Sequence, residues 1–561
     1  MKRYLLLIIC LAGLGLAAEG RVAERTYLTT DRDVYVAGDR VWCSAFCMDA
    51  ATGRYSSVSA VLYLELHSAE GMVQTSKIAL RDGRGAGCFT LLAGLPTGNY
   101  RIVAYTAQNR NETGYDYEGL ASRTISVFNV LSKSRVKGGV KVVGADEYSA
   151  AETDSPQAGE GISVFFSRED GLLRVTSARD DRARLSVSVY HEDGIRHPGN
   201  VSARGFASRL RSVGTVSFVP GFVPEYEGEL IKGRIAGASP EVLAGLKGKY
   251  AFISAPGDGF DIYCSPIGED GSVSFRTGNI YGDRDLVCEI EGLDSTAACH
   301  LEFEEPFVGA KVSAPAPLLL SECLAPVLEK RGTAMQIERR FMSDTLMSWF
   351  KVRHNTFLSS ERTSFILDDY TRFPLMKEVF TEFIHQIKVS GSARRGRTIS
   401  IALEDTYGRT VPSSNPTLVL LDGVPVFNHD KIYNYDPLLV KRIDLYPYPH
   451  LVGTRFFDGV INFVTYKGNM PSYTFDGNVR VVNFKGVSFP QAYTCSSVGP
   501  ESGYPDYRQT VYWDPLVEIS AGGSYEAQVK LPDYKGEFTV VVEGFCSDGT
   551  PVWQKTSFRT E

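Results

Sequence analysis

A chain of 561 residues with 43% apolar and 22% charged content is too long for one hydrophobic core and too ordinary in composition for a disordered tail, so about three to five globular domains are expected. Its formal charge of −7 speaks against a nucleic-acid-binding protein, which needs a basic face. Tyr, Phe and Gly number 29, 30 and 54, which favours many short strands joined by glycine turns over helical bundles.

The first twenty residues, "MKRYLLLIICLAGLGLAAEG", place Lys2 and Arg3 before an apolar run from Leu5 to Leu14 and small residues at Gly15, Ala17 and Ala18. This pattern predicts a signal peptide over residues 1–18, an exported protein and no transmembrane span in the mature chain. Cys10 follows Ile8 and Ile9, a poor match to the small residues that precede a lipidated cysteine. Loss of residues 1–18 removes Lys2, Arg3 and no acid, moving the charge from −7 to −9. No basic patch remains, and no nucleic-acid partner is expected. The ten cysteines become nine without Cys10, so at least one thiol is unpaired within a monomer. Cys43 and Cys47 in "WCSAFC" read as one face of a strand, about 13 Å apart. That is too far for a disulfide, and both are expected as small core residues.

Residues 24–130 alternate in the strand manner. "SAVLYLELH" sets Val61, Tyr63 and Glu65 on one side and Leu62, Leu64 and Leu66 on the other, and "NYRIVAYT" repeats the period after a "PTG" turn. A β-sandwich is expected. The stretch "YLTTDRDVYVAGDRVW", with Thr30, Asp31, Arg32, Tyr35, Gly38 and Asp39, resembles the opening of a macroglobulin-type domain, and "LPTGNYRIVAY" resembles its closing strand. Asp31 and Arg32 are then turn residues rather than a catalytic pair. A polar, glycine-rich linker over about 131–160 precedes a second strand-rich block, read as a sandwich over 138–220. A third, over 222–310, is expected from strands every 8 to 12 residues.

The period changes at 318. Leu320, Cys323, Leu324, Val327 and Leu328 share a helical face, with Gly332 as a stop, in a helical connector over 318–365. A second helix is expected in "FPLMKEVFTEFIHQI", with Pro374 in its first turn and Val379, Phe380, Phe383, Ile384 and Ile387 on one face. Asp368 and Asp369 just upstream read as an N-terminal cap and dipole partner.

"TLVLLDGVPV" is a buried strand broken by an Asp-Gly turn, with Pro425 limiting how the next strand can pair. "VKRIDLYPY" and "GVINFVTYKG" are further strands, and these elements alone define an α+β domain over 366–470. Asp422, Gly423, Val424 and Pro425, then Ile443 and Asp444, then Gly459, Val460, Ile461, Asn462 and Thr465 resemble, in order and spacing, the plug domain of TonB-dependent receptors. "LDDYTRFPLMKEVF" and "HDKIYNYDP" are similar to segments of exported Bacteroidetes proteins that join macroglobulin-type sandwiches to such a plug-like domain. Roughly 90 residues lie beyond Gly468, whereas a 22-stranded receptor barrel at about 10 residues a strand needs more than about 220, so no attached barrel is expected.

The tail over 505–561 resembles another macroglobulin-type segment, through Trp513, Pro515, Gly522, Leu531, Pro532 and Asp533. The Cys-Gly-Glu-Gln thioester motif of that family is absent, since no Cys precedes a Gly. The common zinc-protease, serine-hydrolase, Walker and EF-hand motifs are absent as well. In "HEDGIRH", His191 and His197 lie six residues apart, about 20 Å in an extended chain, and read as a solvated turn rather than a metal site.

The expectation is therefore a mostly β protein of serial macroglobulin-type sandwiches plus a small α+β plug-like domain, joined by a short helical segment. It is expected to be no enzyme, to use no cofactor or metal, and to make protein contacts in the cell envelope, with an outer-membrane barrel as a candidate partner. Three other readings stand beside this one: a non-covalent protease-binding protein with residues 490–510 as its cleavable segment, the plug component of a split uptake system, and an enzyme with an unrecognised site.

Overall fold

The computed structural model describes residues 22–119, 122–148, 161–214, 216–219, 221–257, 261–278, 280–293, 298–342, 347–349, 362–404, 410–411, 415–489, 491–493, 505–533 and 535–560. The expected signal peptide, with Cys10, and most of the expected cleavable segment lie outside them. The protein is mostly β, in many small sheets. The chain divides into two compact units: residues 1–226, 307–351 and 487–561, and residues 227–306 and 352–486.

In the first unit an eight-stranded sheet runs in the order Glu24–Thr30, Arg40–Asp49, Arg84–Thr90, Gly71–Arg81, Val61–Ser68, Gly98–Tyr105, Ser122–Phe128, Val34–Val36. Gly71–Arg81 folds it into two layers, pairing with Arg84–Thr90 only near Leu80 and with Val61–Ser68 along the rest. Leu62, Leu64 and Leu66 fill the interior with Cys43, Cys47, Ile78, Tyr100 and Ile125. The opposite face of Val61–Ser68 is buried too. Tyr63 donates to Glu225 at 2.9 Å, and Glu65 accepts from the backbone N–H groups of Gly309 and Ala310. Segments distant in sequence cover a face that its polar residue would otherwise give to water.

The block at 138–220 does not close a sandwich by itself. Ile162–Ser167 and Leu172–Ser177 take Ser524–Gln528 as their third strand, and Ala183–Glu192 lies between Thr510–Ile519 and Gly536–Cys546, with Pro551–Thr560 outermost. Leu173, Leu185, Val187 and Val189 share one core with Val511, Val517, Phe538, Val540 and Val542. The second block and the C-terminal segment are thus two halves of one sandwich. Strand period names the buried face of a strand and not its partner.

In the second unit, Ser272–Arg276, Leu230–Ala236 and His300–Phe303 form one sheet; Asp261–Pro266, Tyr250–Ala255, Asp283–Ile290 and Arg480–Lys485 form the other. The last of these strands comes from beyond residue 470, so the third block is also completed from a distance. A further, five-stranded sheet has the order Thr363–Ile366, Val440–Val452, Arg455–Thr465, Leu418–Leu421, Val424–Pro425. Ile443, Ile461 and Phe463 on one face pack with Met376, Val379, Phe380 and Ile432 of two short helices. Val460, Leu418, Leu420 and Phe457 on the other pack with Phe252, Ile262 and Cys264.

The helices differ from expectation. Leu318–Leu320 is a short parallel strand beside Val140–Val142, and the helix runs from Ala325 to Ile337. Gly332 is therefore interior to the helix and not a stop. A Cβ there would lie 2.9 Å from a methyl of Val130, so the glycine answers to close packing. The second helix is only Met376–Glu382, with Pro374 before it rather than in its first turn. Phe383, Ile384 and Ile387 still reach the core, from a turn and the strand Ile387–Ser392. Asp368 and Asp369 sit in their own short 3-10 turn, and Leu375 is the N-cap of the helix.

Candidate functional site

Two turns carry the motif residues, one in each unit. In the first unit the strand Glu24–Thr30 ends at Asp31, which is wholly buried. Its Oδ1 accepts from the Tyr35 hydroxyl at 2.8 Å and the Trp42 N–H at 3.0 Å. Its Oδ2 accepts from Arg32 at 3.1 Å and from the Thr510 hydroxyl. Arg32 continues to Asp39 at 2.8 Å and to the Val34 carbonyl at 3.1 Å, and lies 4.6 Å above the Tyr35 ring. Burial pushes the Asp31 carboxyl up, while Arg32, Thr510, Tyr35 and Trp42 pull it down. Thr30 donates to Asp33 at 3.2 Å. Gly38 turns at a φ of +98°, where a Cβ would meet Arg339.

The C-terminal motif meets this turn. Trp513 is buried opposite Ser188, whose hydroxyl donates to the Asp31 carbonyl. The Pro515 carbonyl accepts from Ser44 at 2.8 Å and from Arg84 at 2.9 Å. Sequence reasoning missed Arg84, which also reaches the Leu185 carbonyl at 3.0 Å. It also missed two buried acids: Glu24 accepts from Ser56, Ser59 and Thr106, and Glu543 from Tyr27 and Thr29. A charged residue inside a strand is the signal that was available for Glu543; Glu24 and Arg84 are the first residues of their strands and carry no such signal.

In the second unit Asp422 and Gly423 form a two-residue turn, both at positive φ, +47° and +81°, as the tight hairpin turn between such strands requires. Asp422 is 2% exposed. Its carboxylate accepts from the Thr465 N–H, the Thr465 hydroxyl and the Met470 N–H, each at 2.7 Å. Gly423 donates to the Asn462 side chain at 3.2 Å, and a Cβ on it would sit 2.9 Å from the Gly257 carbonyl oxygen. Val424 and Pro425 form a two-residue edge strand, where the missing proline N–H costs no ladder bond. Gly459, at a φ of +108°, lets the strand pass Ile401, whose methyl would lie 2.4 Å from a Cβ. Val460 and Ile461 point to opposite faces of the sheet. The two motif groups thus lie in separate units, and each carboxylate is engaged by internal donors.

The remaining candidates have internal partners as well. His197 pairs with Glu192 at 3.1 Å, and Asp193 binds Arg331. Asp368 binds Arg372 and the Tyr466 hydroxyl. Among the described residues Asp181, Cys546 and Asp548 have ligand atoms within 4.8 Å of one another, but Arg179 bonds both carboxylates at 2.8 Å and occupies the position a cation would take. All eight described cysteines are free thiols, Cys43 and Cys47 among them. A cleft of about 880 Å³ in the second unit is lined by Lys232, Ser265, Ser274, Arg276, Glu304 and Cys264 among others. Burial pushes the Cys264 thiol up and it donates to the Val452 carbonyl, which makes it a poor nucleophile. No helix among the described residues is long and apolar enough to cross a membrane.

These sheets define a mostly β protein of sandwiches, two of them completed by strands from distant parts of the chain, with one mixed sheet flanked by short helices. No family model matches the sequence, and no curated protein matches it. Among solved structures, the native alpha-2-macroglobulin of Escherichia coli is similar at 9% identity and a TM-score of 0.23, over 96% of this chain and 40% of that one. Salmonella alpha-2-macroglobulin reacted with methylamine gives 10% identity and 0.16, over 97% of this chain and 24% of that one. The CARDB domain of a Pyrococcus furiosus protein, in complex with di-metal ions, gives 13% and 0.14, over 19% of this chain and 94% of that one. The chain spans less than half the length of either macroglobulin. TM-scores this far below 0.5 do not carry the fold assignment, which rests on the sheets themselves.

Proposed function

We propose that this chain is a non-catalytic protein of the cell envelope, built of macroglobulin-type sandwiches and a plug-like sheet, that works by protein contact at the outer membrane. The motif carboxylates Asp31 and Asp422 are turn locks with no oxygen left for a substrate. Contact is supported by one surface of the plug-like region, where Ile366, Tyr370, Leu438 and Tyr466 are 45%, 42%, 51% and 51% exposed. They are gathered by the bonds of Tyr466 to Asp368 and Leu439 and of Arg372 to Asp368 and Pro437. Exposed tyrosines around a charged pair are the composition of a protein-binding patch.

A photo-crosslinking residue in place of Leu438, in cells that make this protein, tests the reading. A discrete adduct with one envelope protein is expected, lost when the same residue replaces Val142, which is exposed in the first unit. Recovery of uncrosslinked monomer alone would sink it.

A further inference from the structure

One hairpin of the second unit carries a charge that the chain as a whole conceals. Ile387–Ser392 and Gly396–Ile401 pair in register, with Ile387, Ile399 and Ile401 buried at the base. Residues 388 to 396 are all exposed. From 383 to 403 the sequence holds Lys388, Arg394, Arg395 and Arg397 and no Asp or Glu, in a protein of net charge −7. The absence of a basic patch expected from sequence is thus corrected: whole-chain charge averages away a local excess.

The hairpin is held firmly. Ile399 donates its N–H to Nδ1 of His429 at 2.8 Å, and Ala402 donates to the Gln386 carbonyl at 2.8 Å. Arg397 is tied to Asp430 and lies 4.1 Å above the Tyr433 ring. At the tip Arg395 donates its N–H to the Ser392 carbonyl at 3.1 Å. Gly391 turns at a φ of +83°, where a Cβ would sit 2.3 Å from the Gly396 carbonyl oxygen. The side chains of Arg394 and Arg395 enter no ion pair among the described residues.

We propose that this hairpin is a finger that docks on the phosphate headgroups of an anionic lipid bilayer. A guanidinium fork matches phosphate oxygens two at a time, and a preformed hairpin presents two adjacent forks at small entropic cost. Between Lys388 and Thr398 the other residues are Val, Ser, Gly and Ala. The finger therefore lacks the aromatic anchors on which protein hot spots depend and the stacking platforms that single-stranded nucleic acids use. Each cation held near an anionic leaflet strengthens attachment about fivefold. Lipid docking by the finger is independent of the protein-contact reading and stands without it.

Sedimentation of the full chain with vesicles tests it. Binding is expected to phosphatidylcholine vesicles containing phosphatidylglycerol and not to phosphatidylcholine alone, and to weaken as salt screens the charges. The double variant R394S/R395S should bind about 25-fold more weakly, and R394K/R395K, which keeps the charges and loses the forks, should bind between that variant and the parent. K133S/K137S, the same change of charge at exposed positions of the first unit, should bind as the parent does. Circular dichroism of each variant establishes that it is folded. Equal binding to both vesicle types, an unaffected R394S/R395S variant, an equal loss in K133S/K137S, or tighter binding to duplex DNA or polyglutamate at the same ionic strength would each overturn the assignment.

Discussion

The hydroxyl of Thr510 donates to the carboxylate of Asp31 across 479 residues of sequence, inside a site closed to water. The opening motif of the chain and its C-terminal segment are by this bond parts of one structure. Thr510→Val removes a donor to a buried carboxylate and is expected to cost about 1–3 kcal/mol. Asp31→Ala removes one of the two carboxylates that face the buried Arg32, together with the acceptor of the Tyr35 hydroxyl and the Trp42 N–H, and should cost about 3–5 kcal/mol. In a double-mutant cycle followed by urea denaturation, Thr510→Val should cost less once Asp31 is Ala, the remainder being the bond that the Thr510 hydroxyl accepts from Arg32. Additive losses would separate the two residues.

Gly332 offers a reversal of sign. Alanine in place of glycine inside a helix ordinarily stabilises by about 0.5–1 kcal/mol. Here the added Cβ meets Val130 at 2.9 Å, so Gly332→Ala should destabilise the parent protein. In a Val130→Ala background the same substitution should stabilise, and thermal midpoints of the four proteins read the difference.

The Asp422–Gly423 turn should be intolerant for two distinct reasons. Gly423→Ala forces an L side chain to a φ of +81° and against a carbonyl oxygen, with an expected loss of about 1–3 kcal/mol. Asp422→Ala leaves the N–H groups of Thr465 and Met470 without their acceptor and should cost a further similar amount. Both losses should appear as weaker hydrogen-exchange protection of Thr465, because the carboxylate ties the end of its strand to the turn.

His429 makes the second unit acid-sensitive. Its half-buried ring loses hydration, which lowers its pKa from 6.5 to about 4 against the pull of Asp430, while Nδ1 accepts the Ile399 N–H. Between those two values the unfolded chain takes up a proton that the folded chain refuses, so stability falls as the pH drops through that window. His429→Gln should flatten this dependence in urea midpoints measured from pH 7 to pH 4. An unchanged slope would show that other groups set it.

Much of the fold is legible in short stretches. The alternation of Leu62, Leu64 and Leu66 identifies a core-facing row because a strand has a period of two, and the Asp-Gly pair at 422 and 423 identifies a turn because few residues tolerate positive φ. Gly332 misleads because the same residue serves as a helix stop and as a point of close approach, and only the position of Val130 separates the two. Pro374 falls outside the helix it is expected to open because helix boundaries depend on the tertiary contacts of the first turn. The basic finger escapes notice in the sequence because its cations are unremarkable within the composition of the chain and become a feature only when a hairpin lifts Lys388, Arg394 and Arg395 together into solvent.

The sequence by itself determined the strand-rich class, the turns and the buried rows, since these arise from local backbone preference and side-chain period. Tertiary structure alone decided that residues 162–192 and 510–560 share one sandwich, that Arg480–Lys485 completes another, that Thr510 meets Asp31, and that Pro515 meets Ser44 and Arg84. Strand pairing is made by backbone groups that every residue carries, so the choice of partner is written in the packing of whole faces and not in any short stretch of the chain.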